Sequence, residues 1–470
     1  MELKTLVSSG TAFAVAATIS LVSVPLAHAD TTTPGSYNVV DSHRLLDTRR
    51  GFGTPGGAVG AVAAHATLTF TATDDTESDV GAVALNVTAV APTAPGSLTV
   101  FAAGTARPYA SNLNFQAGQN VPNLVITAVG EGGTVSIYNG SAGTVQLLAD
   151  IHGYFTGGAN TGVPGTFVAL PSSQRVLDTR KGTGAPKARV AERSGLKLKV
   201  AGIDGIPADA TAVVANITAV QGNNRGYVTA YEGEPRPLAS NLNYETKQDR
   251  ANLALVTVAT DGTISLFNGG TFSTVDLVVD ITGYFVGGGT PEVDGAFFSS
   301  TPYRVFDSRD ANADGTPGQP AGALTTSKIQ IFPADDPTFL FIKAVVINVT
   351  AVQPEAPGYL TTYSGVGTLP SVSSSNFVPK HDVAGAVIVP VAPDGTISIY
   401  NGSFGNVDLV VDVTGFFFAL PVTSENVPAG IAKRAAAIPA SQRIATALAA
   451  MKKFSATPHS TPVSVTKVTK

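Results

Sequence analysis

One pattern recurs three times along the chain, and any fold must accommodate it. Arg44-Leu45-Leu46-Asp47-Thr48-Arg49 returns as RVLDTR at Arg175–Arg180 and as RVFDSR at Arg304–Arg309. Asn86-Val87-Thr88 recurs as Asn216-Ile217-Thr218 and Asn348-Val349-Thr350. Ser111-Asn112-Leu113-Asn114 returns at Ser240–Asn243 and, weakened, aligns with Ser375-Asn376-Phe377-Val378. Each copy ends on Asp-x-x-Gly-aromatic-Phe, at Asp150–Phe155, Asp280–Phe285 and Asp412–Phe417. The spacing is 130 residues from Asn86 to Asn216 and 132 from Asn216 to Asn348. That is domain length, several-fold longer than a solenoid or propeller-blade repeat.

Inside a copy the signals are those of strands. In the second, LKLKVAG and GYVTAY alternate, TAVVANITAV is β-branched and largely apolar, and Asp261-Gly262 between apolar runs marks a hairpin. Glycine (49) and proline (30) are abundant and supply the turns. About seven or eight strands per copy, with no helical period, predict an all-β chain of three tandem β-sandwich modules, jelly-roll-like, with a closed barrel as the alternative. The modules span 37–157, 166–288 and 296–419, and Gly157-Gly158 and Gly287-Gly288-Gly289 read as linkers, so three beads in a row are expected.

Both ends differ from the repeats. Residues 1–29 carry Lys4, an apolar run and Ala27-His28-Ala29, the pattern of a secretory signal peptide cleaved after Ala29. The alternative, a membrane anchor, is disfavoured by Ser8, Ser9, Pro25 and the cleavage site. Residues 421–470 hold seven Lys/Arg against one acid, Glu425. There Ser441 can cap a short amphipathic helix over QRIATALAAMKKF, with Ile444, Leu448 and Met451 on one face, and the last residues read as disordered. Leu420-Pro421-Val422-Thr423-Ser424 resembles a sortase signal, but Ser424 replaces the glycine. The basic tail could adhere to anionic wall polymers or lipid headgroups, or merely solubilise the chain.

Composition excludes several chemistries. There is no cysteine, so thiol catalysis, thiolate metal sites and disulfides are ruled out. A net charge of −5 gives no polyanion-binding field over the whole chain, so nucleic acid is not an expected partner. The six histidines never occupy equivalent positions in all three copies, and no HExxH, GxSxG or phosphate loop occurs. Ser194-Gly195-Leu196-Lys197 matches SxxK by letters but lies on an expected strand without counterparts. Asp74-Asp75 and Asp335-Asp336 read as turn residues. Asp310 to Gly315 places oxygen ligands at alternate positions, yet Ala321 stands where a calcium loop needs glutamate, so no metal or cofactor is assigned.

The recurring residues point to structure before chemistry. On a strand Asp47 and Arg49, Asp178 and Arg180, and Asp307 and Arg309 fall on one side, as ion pairs or loop braces, while Arg44, Arg175 and Arg304 fall on the other. The sequon residues Asn86, Asn216 and Asn348 sit mid-strand, which argues against glycosylation. Asn112, Asn114 and Asn123 match Asn241, Asn243 and Asn252, and with Tyr138 or Phe267 they could form a sugar-binding surface or brace loops. The third copy has Val378 and Gly385 at the last two positions.

Taken together, R-[VL]-[LF]-D-[TS]-R, N-[VI]-T-A-V, S-N-L-N and D-[VI]-x-G-[YF]-F resemble a repeat module of exported proteins from actinobacteria, over residues 37–418. The resemblance implies a surface or secreted accessory module and carries over no catalytic residue. The expected function is that of a secreted or wall-associated, non-enzymatic protein of tandem binding or spacer modules. Two alternatives are a binder of cell-wall glycan or polysaccharide, and an inhibitor or ligand of a secreted protease that presents the loop Gln221–Gly226.

Overall fold

The β-branched runs between glycine- and proline-bearing turns become strands, as residues that fit a pleated surface do. The structure is a computed structural model. It describes residues 35–73, 79–157, 165–287, 295–311, 317–332, 336–419, 429–439 and 463–468, and within 442–449 residues 442, 443, 445, 446 and 449. Residues 1–34, which hold the expected signal peptide, lie outside it.

The first repeat contains β1 (Tyr37–Asp47), β2 (Thr67–Thr71), β3 (Val80–Val90), β4 (Gly96–Ala102), β5 (Leu113–Phe115), β6 (Val121–Ala128), β7 (Thr134–Asn139) and β8 (Gln146–Thr156). The second contains β9 (Thr166–Asp178), β10 (Ser194–Lys199), β11 (Ala210–Val220), β12 (Gly226–Tyr231), β13 (Leu242–Tyr244), β14 (Arg250–Thr257), β15 (Thr263–Asn268) and β16 (Asp276–Val286). The third contains β17 (Phe297–Asp307), β18 (Thr325–Gln330), β19 (Ile342–Val352), β20 (Gly358–Tyr363), β21 (Ser375–Phe377), β22 (Val383–Pro390), β23 (Thr396–Asn401) and β24 (Asp408–Phe418). Each repeat winds its strands antiparallel into two small sheets, of order β1-β8-β3-β6 and β2-β7-β4-β5 in the first and the same order in its sisters. The two sheets share a core, in the first repeat around Leu46, Leu85, Leu98, Val100, Ile137 and Ile151.

The described chain is nearly all β, but it is not three separate sandwiches in a row. Its six sheets form one propeller-like ring, in which one sheet of each repeat faces a common axis. Strand β3 shows why. Val83, Leu85 and Val87 enter the core of their own repeat, while Ala82 and Ala84 pack at the axis beside Ala212 and Val214 of β11 and Ala344 and Val346 of β19. A sheet covered on both faces needs apolar residues at successive positions, and TAVVANITAV is such a run.

The axis is aromatic. Phe155, Phe285 and Phe417, from the closing motif of each repeat, have ring centroids 6.3, 6.1 and 6.1 Å apart. Between them sit Tyr37, Phe167 and Phe297 from the first strand of each repeat. These lie 4.4, 4.3 and 4.3 Å from Phe285, Phe417 and Phe155, respectively, each in a neighbouring repeat. The motif glycine makes room for them: a Cβ on Gly153, Gly283 or Gly415 would stand 2.4 to 2.5 Å from the ring of Tyr37, Phe167 or Phe297. Backbone hydrogen bonds tie the first strands together around the same axis, Gly35 with Phe297 (2.7 Å), Tyr37 N–H to Gly165 O (3.0 Å) and Phe167 N–H to Gly295 O (3.1 Å). Of the joints read as linkers, Gly158, Gly288 and Gly289 lie outside the described residues, but the repeats on either side are fixed against one another by this interface.

The C-terminal tail also departs from expectation. A helix α1 (Ala429–Ala436) lies upstream of the expected one; within the expected one the described residues Gln442, Arg443, Ala445, Thr446 and Ala449 are helical, and Ile444, Leu448 and Met451 lie outside the described residues. Ala435 is fully buried, and Ile431 and Ile438 pack on the third repeat's core. The segment read as disordered contains β25 (Ser464–Lys467), which pairs antiparallel with β18 as a fifth strand.

Removing one axial ring should loosen the whole ring. Phe285→Ala is expected to lower unfolding stability by about 3–5 kcal/mol. Denaturant unfolding of the intact chain checks this, and an unchanged midpoint would contradict the axial packing.

Candidate functional site

The recurring charged residues converge where one repeat meets the next. Asp47 lies at the end of β1 and Arg49 two residues on. As expected they pair, Arg49 Nε and Nη2 donating to the two oxygens of Asp47 at 2.9 and 2.8 Å. Asp178 with Arg180 and Asp307 with Arg309 repeat this geometry. The side-chain bonds from Arg49 and Arg180 hold the carboxyls of Asp47 and Asp178 below their ordinary range.

The leading arginines were expected on the opposite side, and the structure corrects this. A register shift between Arg44 and Leu46 breaks the strand's alternation, and the same shift follows Arg175 and Arg304. Arg44 thereby reaches Asp47 at 3.4 Å as well as Asp150, the aspartate of the closing motif. Arg175 holds Asp280 through two bonds of 2.8 and 3.0 Å, and Arg304 holds Asp412 at 3.0 and 3.4 Å. Burial pushes the carboxyls of Asp150, Asp280 and Asp412 up, and the arginine bonds oppose it.

Each cluster also grips the following repeat. Arg44 Nη2 donates to Leu238 O at 3.2 Å and Arg175 Nη2 to Ser371 O at 2.9 Å, while Arg304 stacks 5.1 Å over the Tyr109 ring. Asn86 donates to Ser240 O, Asn216 to Ser373 O, and Asn348 to Ser111 O. The ring therefore closes from third repeat to first, and the sequon asparagines are buried within it.

The asparagines read as a sugar surface separate into two groups. Asn112, Asn123, Asn241 and Asn252 are buried. Asn123 Nδ2 donates to Asn112 O (2.6 Å) and Asn348 Oδ1 (3.1 Å), and Asn252 Nδ2 donates to Asn241 O (2.6 Å) and Asn86 Oδ1 (3.1 Å). Asn114 and Asn243 are half-buried and accept from Ser111 and Ser240. In the third repeat the register is two residues earlier than the letters suggested: Ser373 Oγ donates to Asn376, so Asn376 matches Asn114, and Ser374 takes the place of Asn112 by capping Thr362 N–H. Tyr138 and Phe267 are covered by Arg107 and Arg236 at 3.8 and 4.1 Å.

Between the first and second repeats lies an open groove of about 710 Å³, which sequence reasoning missed because its walls come from residues far apart in the chain. Arg44, Arg49, Arg50 and Phe52 line one wall, and Tyr227, Arg236, Leu238 and Asn243 the other. Tyr227 and Asn243 are cross-strand partners on β12 and β13, and the ring of Tyr227 lies against Gly269, where a Cβ would clash at 2.0 Å. Thr88, also in the lining, has a hydroxyl without a protein partner.

Among the described residues no group of three His, Cys, Asp or Glu could hold a metal, and no helix is long and apolar enough to cross a membrane. Part of the calcium-like loop, residues 312–316, lies outside the described residues, as do Asp74, Asp75 and Asp335.

Gly385 stands where Asn123 and Asn252 bridge repeats, and a Cβ there would meet Ser375 at an ordinary 3.5 Å. Gly385→Asn can donate to Ser374 O and Asn216 Oδ1, and should raise stability by about 1–2 kcal/mol in denaturant unfolding, with a loss of stability as the contrary result. His152 replaces the threonine found at 282 and 414, is buried, and contacts Ser42 Oγ of its own repeat (2.9 Å) and, across the seam, Asn241 Nδ2 (3.5 Å). Burial, then the nearby His43, lowers its pKa from 6.5 to about 4. The folded state thus binds this proton less tightly than the unfolded chain. Stability present above about pH 6.5 is lost as pH falls towards 4, by about 3 kcal/mol. His152→Thr should flatten this part of the acid limb in a melting series, and parallel curves for both proteins would refute the assignment.

No family model and no curated protein matches the chain. Among solved structures, it is similar to the N-terminal tandem CBM22-1–CBM22-2 domain of Xyn10C from Paenibacillus barcinonensis, at 12% identity and a TM-score of 0.19 over 54% of this chain and 98% of that one. A triple jelly-roll protein of an archaeal virus matches at 10% identity and a TM-score of 0.15, over 87% of this chain and 98% of that one. Likeness of this degree carries no argument about fold or ligand.

Proposed function

We propose that this chain is an exported, non-enzymatic accessory protein of the cell surface or its surroundings, and that it binds carbohydrate along the seams of its ring. Export is supported by the signal-peptide pattern of residues 1–29, and the accessory role by the resemblance of its motifs to repeats of exported actinobacterial proteins. The observation that carries the binding reading is an aromatic–amide pair at the seams. Tyr227 faces Asn243 across β12 and β13, and Tyr359 faces Asn376 across β20 and β21. A fixed aromatic ring offers a face for the C–H side of a sugar, and a neighbouring amide can both donate to and accept from hydroxyls. Tyr359 lies on Gly402 as Tyr227 lies on Gly269, so both rings are held in place before a ligand arrives. Two adjacent seams so equipped would bind a polymer with avidity.

Depletion of the intact protein from solution by insoluble cell-wall sacculi and polysaccharides tests this reading. The double variant Tyr227→Ala/Tyr359→Ala should weaken retention at least roughly tenfold with an unchanged melting temperature. Retention indifferent to both tyrosines, or none on any glycan, would overturn it.

A further inference from the structure

The pseudo-threefold ring allows its seams to be compared as three versions of one site. The guanidinium pairs common to all three are already engaged. Arg44 and Arg49, Arg175 and Arg180, and Arg304 and Arg309 each face two aspartates of their own repeat. What distinguishes the seams lies just beyond. After Arg49 comes Arg50, while Lys181 and Asp310 follow the equivalent arginines. On the facing loop, four residues before the seam serine, Arg236 of the second repeat corresponds to Leu369 of the third and Arg107 of the first. The first seam alone combines an arginine from each wall, Arg50 and Arg236, and also has the Tyr227–Asn243 pair. The second seam offers Lys181 and Leu369, and the third Asp310, Arg107 and Ser97 in place of the tyrosine.

We propose that the groove of the first seam takes an anionic polysaccharide whose sugars carry carboxylates, which deepens and rests on the carbohydrate reading above. Asp47 is the one carboxylate in the described lining, and it is bonded to Arg49 and Arg44. Arg50 and Arg236 therefore leave the groove with a local positive charge inside a chain of net charge −5. Arg236 stacks 4.1 Å over Phe267, which fixes the plane of its guanidinium and leaves its edges to donate. Planar, pre-ordered guanidinium groups match carboxylates through paired hydrogen bonds and lose little entropy in doing so. Arg236 also borders a second depression of about 390 Å³ that holds Asp41, Glu232 and Glu234, and none of these acids lines the groove.

The test is equilibrium binding of the intact protein to three probes at low and high salt: an oligogalacturonate, its methyl ester, and inorganic polyphosphate. The oligogalacturonate is expected to bind, with affinity falling at least about tenfold in Arg50→Gln/Arg236→Gln and falling as salt rises. Tyr227→Ala should weaken it independently of salt, and the melting temperatures should be unchanged. Binding of the methyl ester as tight as that of the acid would overturn the proposal and leave the carbohydrate reading standing. No binding of the oligogalacturonate, whether or not polyphosphate binds, would also overturn the proposal, and the carbohydrate reading would then be decided separately by depletion on sacculi and other polysaccharides.

Discussion

Six aromatic rings on one axis decide the architecture. Phe155, Phe285 and Phe417 meet there with Tyr37, Phe167 and Phe297 wedged between them. Buried aromatic surface is the largest single apolar contribution a side chain can make, and these rings come from all three repeats. Once they pack, one sheet of every repeat is enclosed on both faces. Its strands must then be apolar towards their own core and small towards the axis, as Ala82 and Ala84 are opposite Val83 and Leu85. The closing glycine and the closing phenylalanine of the motif are one device: the glycine admits the neighbouring ring and the phenylalanine reaches the axis.

The polar motifs complete what the aromatics begin. Asn86, Asn216 and Asn348 stand further along the same axis-facing side as the alanines and reach the next repeat's backbone. Burying the carboxylates of Asp150, Asp280 and Asp412 is unfavourable unless each is paired, and each receives a forked arginine. The same arginines extend to the following repeat, so charge pairing inside one unit and registration of the next are a single network. Seam 2–3 lacks one element of it, because Gly385 replaces the bridging asparagine. The recurring hexapeptide is therefore a device for joining repeats as much as for folding one.

Much of this was legible from the residues and some was not. The repeat, its strands and the pairing of Asp47 with Arg49 could be read because they depend on local periodicity; the turn at Asp261-Gly262 is present too, but instead of closing a hairpin it carries the chain from β14 in one sheet to β15 in the other. The ring could not, because it depends on which residues meet across more than a hundred positions of chain. A signal was present in TAVVANITAV and its sisters: a strand with one solvent face alternates, and these do not. The side taken by Arg44 is not legible in the sequence, because a register shift reverses alternation without leaving a mark in composition. The place of Asn376 in the third repeat is not legible from the letters alone, because the turn that precedes it sets its register. The groove was invisible for the same reason as the ring, since Arg50 and Tyr227 share no local pattern. The tail deceived in another way, because a basic, Ser/Thr-rich segment of low apolar content still supplies β25 to the open edge of β18.

If the axis governs the fold, the repeats cannot unfold one at a time, since each would leave its aromatic face and its half of two seams exposed. Differential scanning calorimetry of the intact chain addresses this most directly. The account predicts a single transition whose calorimetric and van't Hoff enthalpies agree. Three separable transitions, each with the enthalpy of one repeat, would show that the units are beads after all.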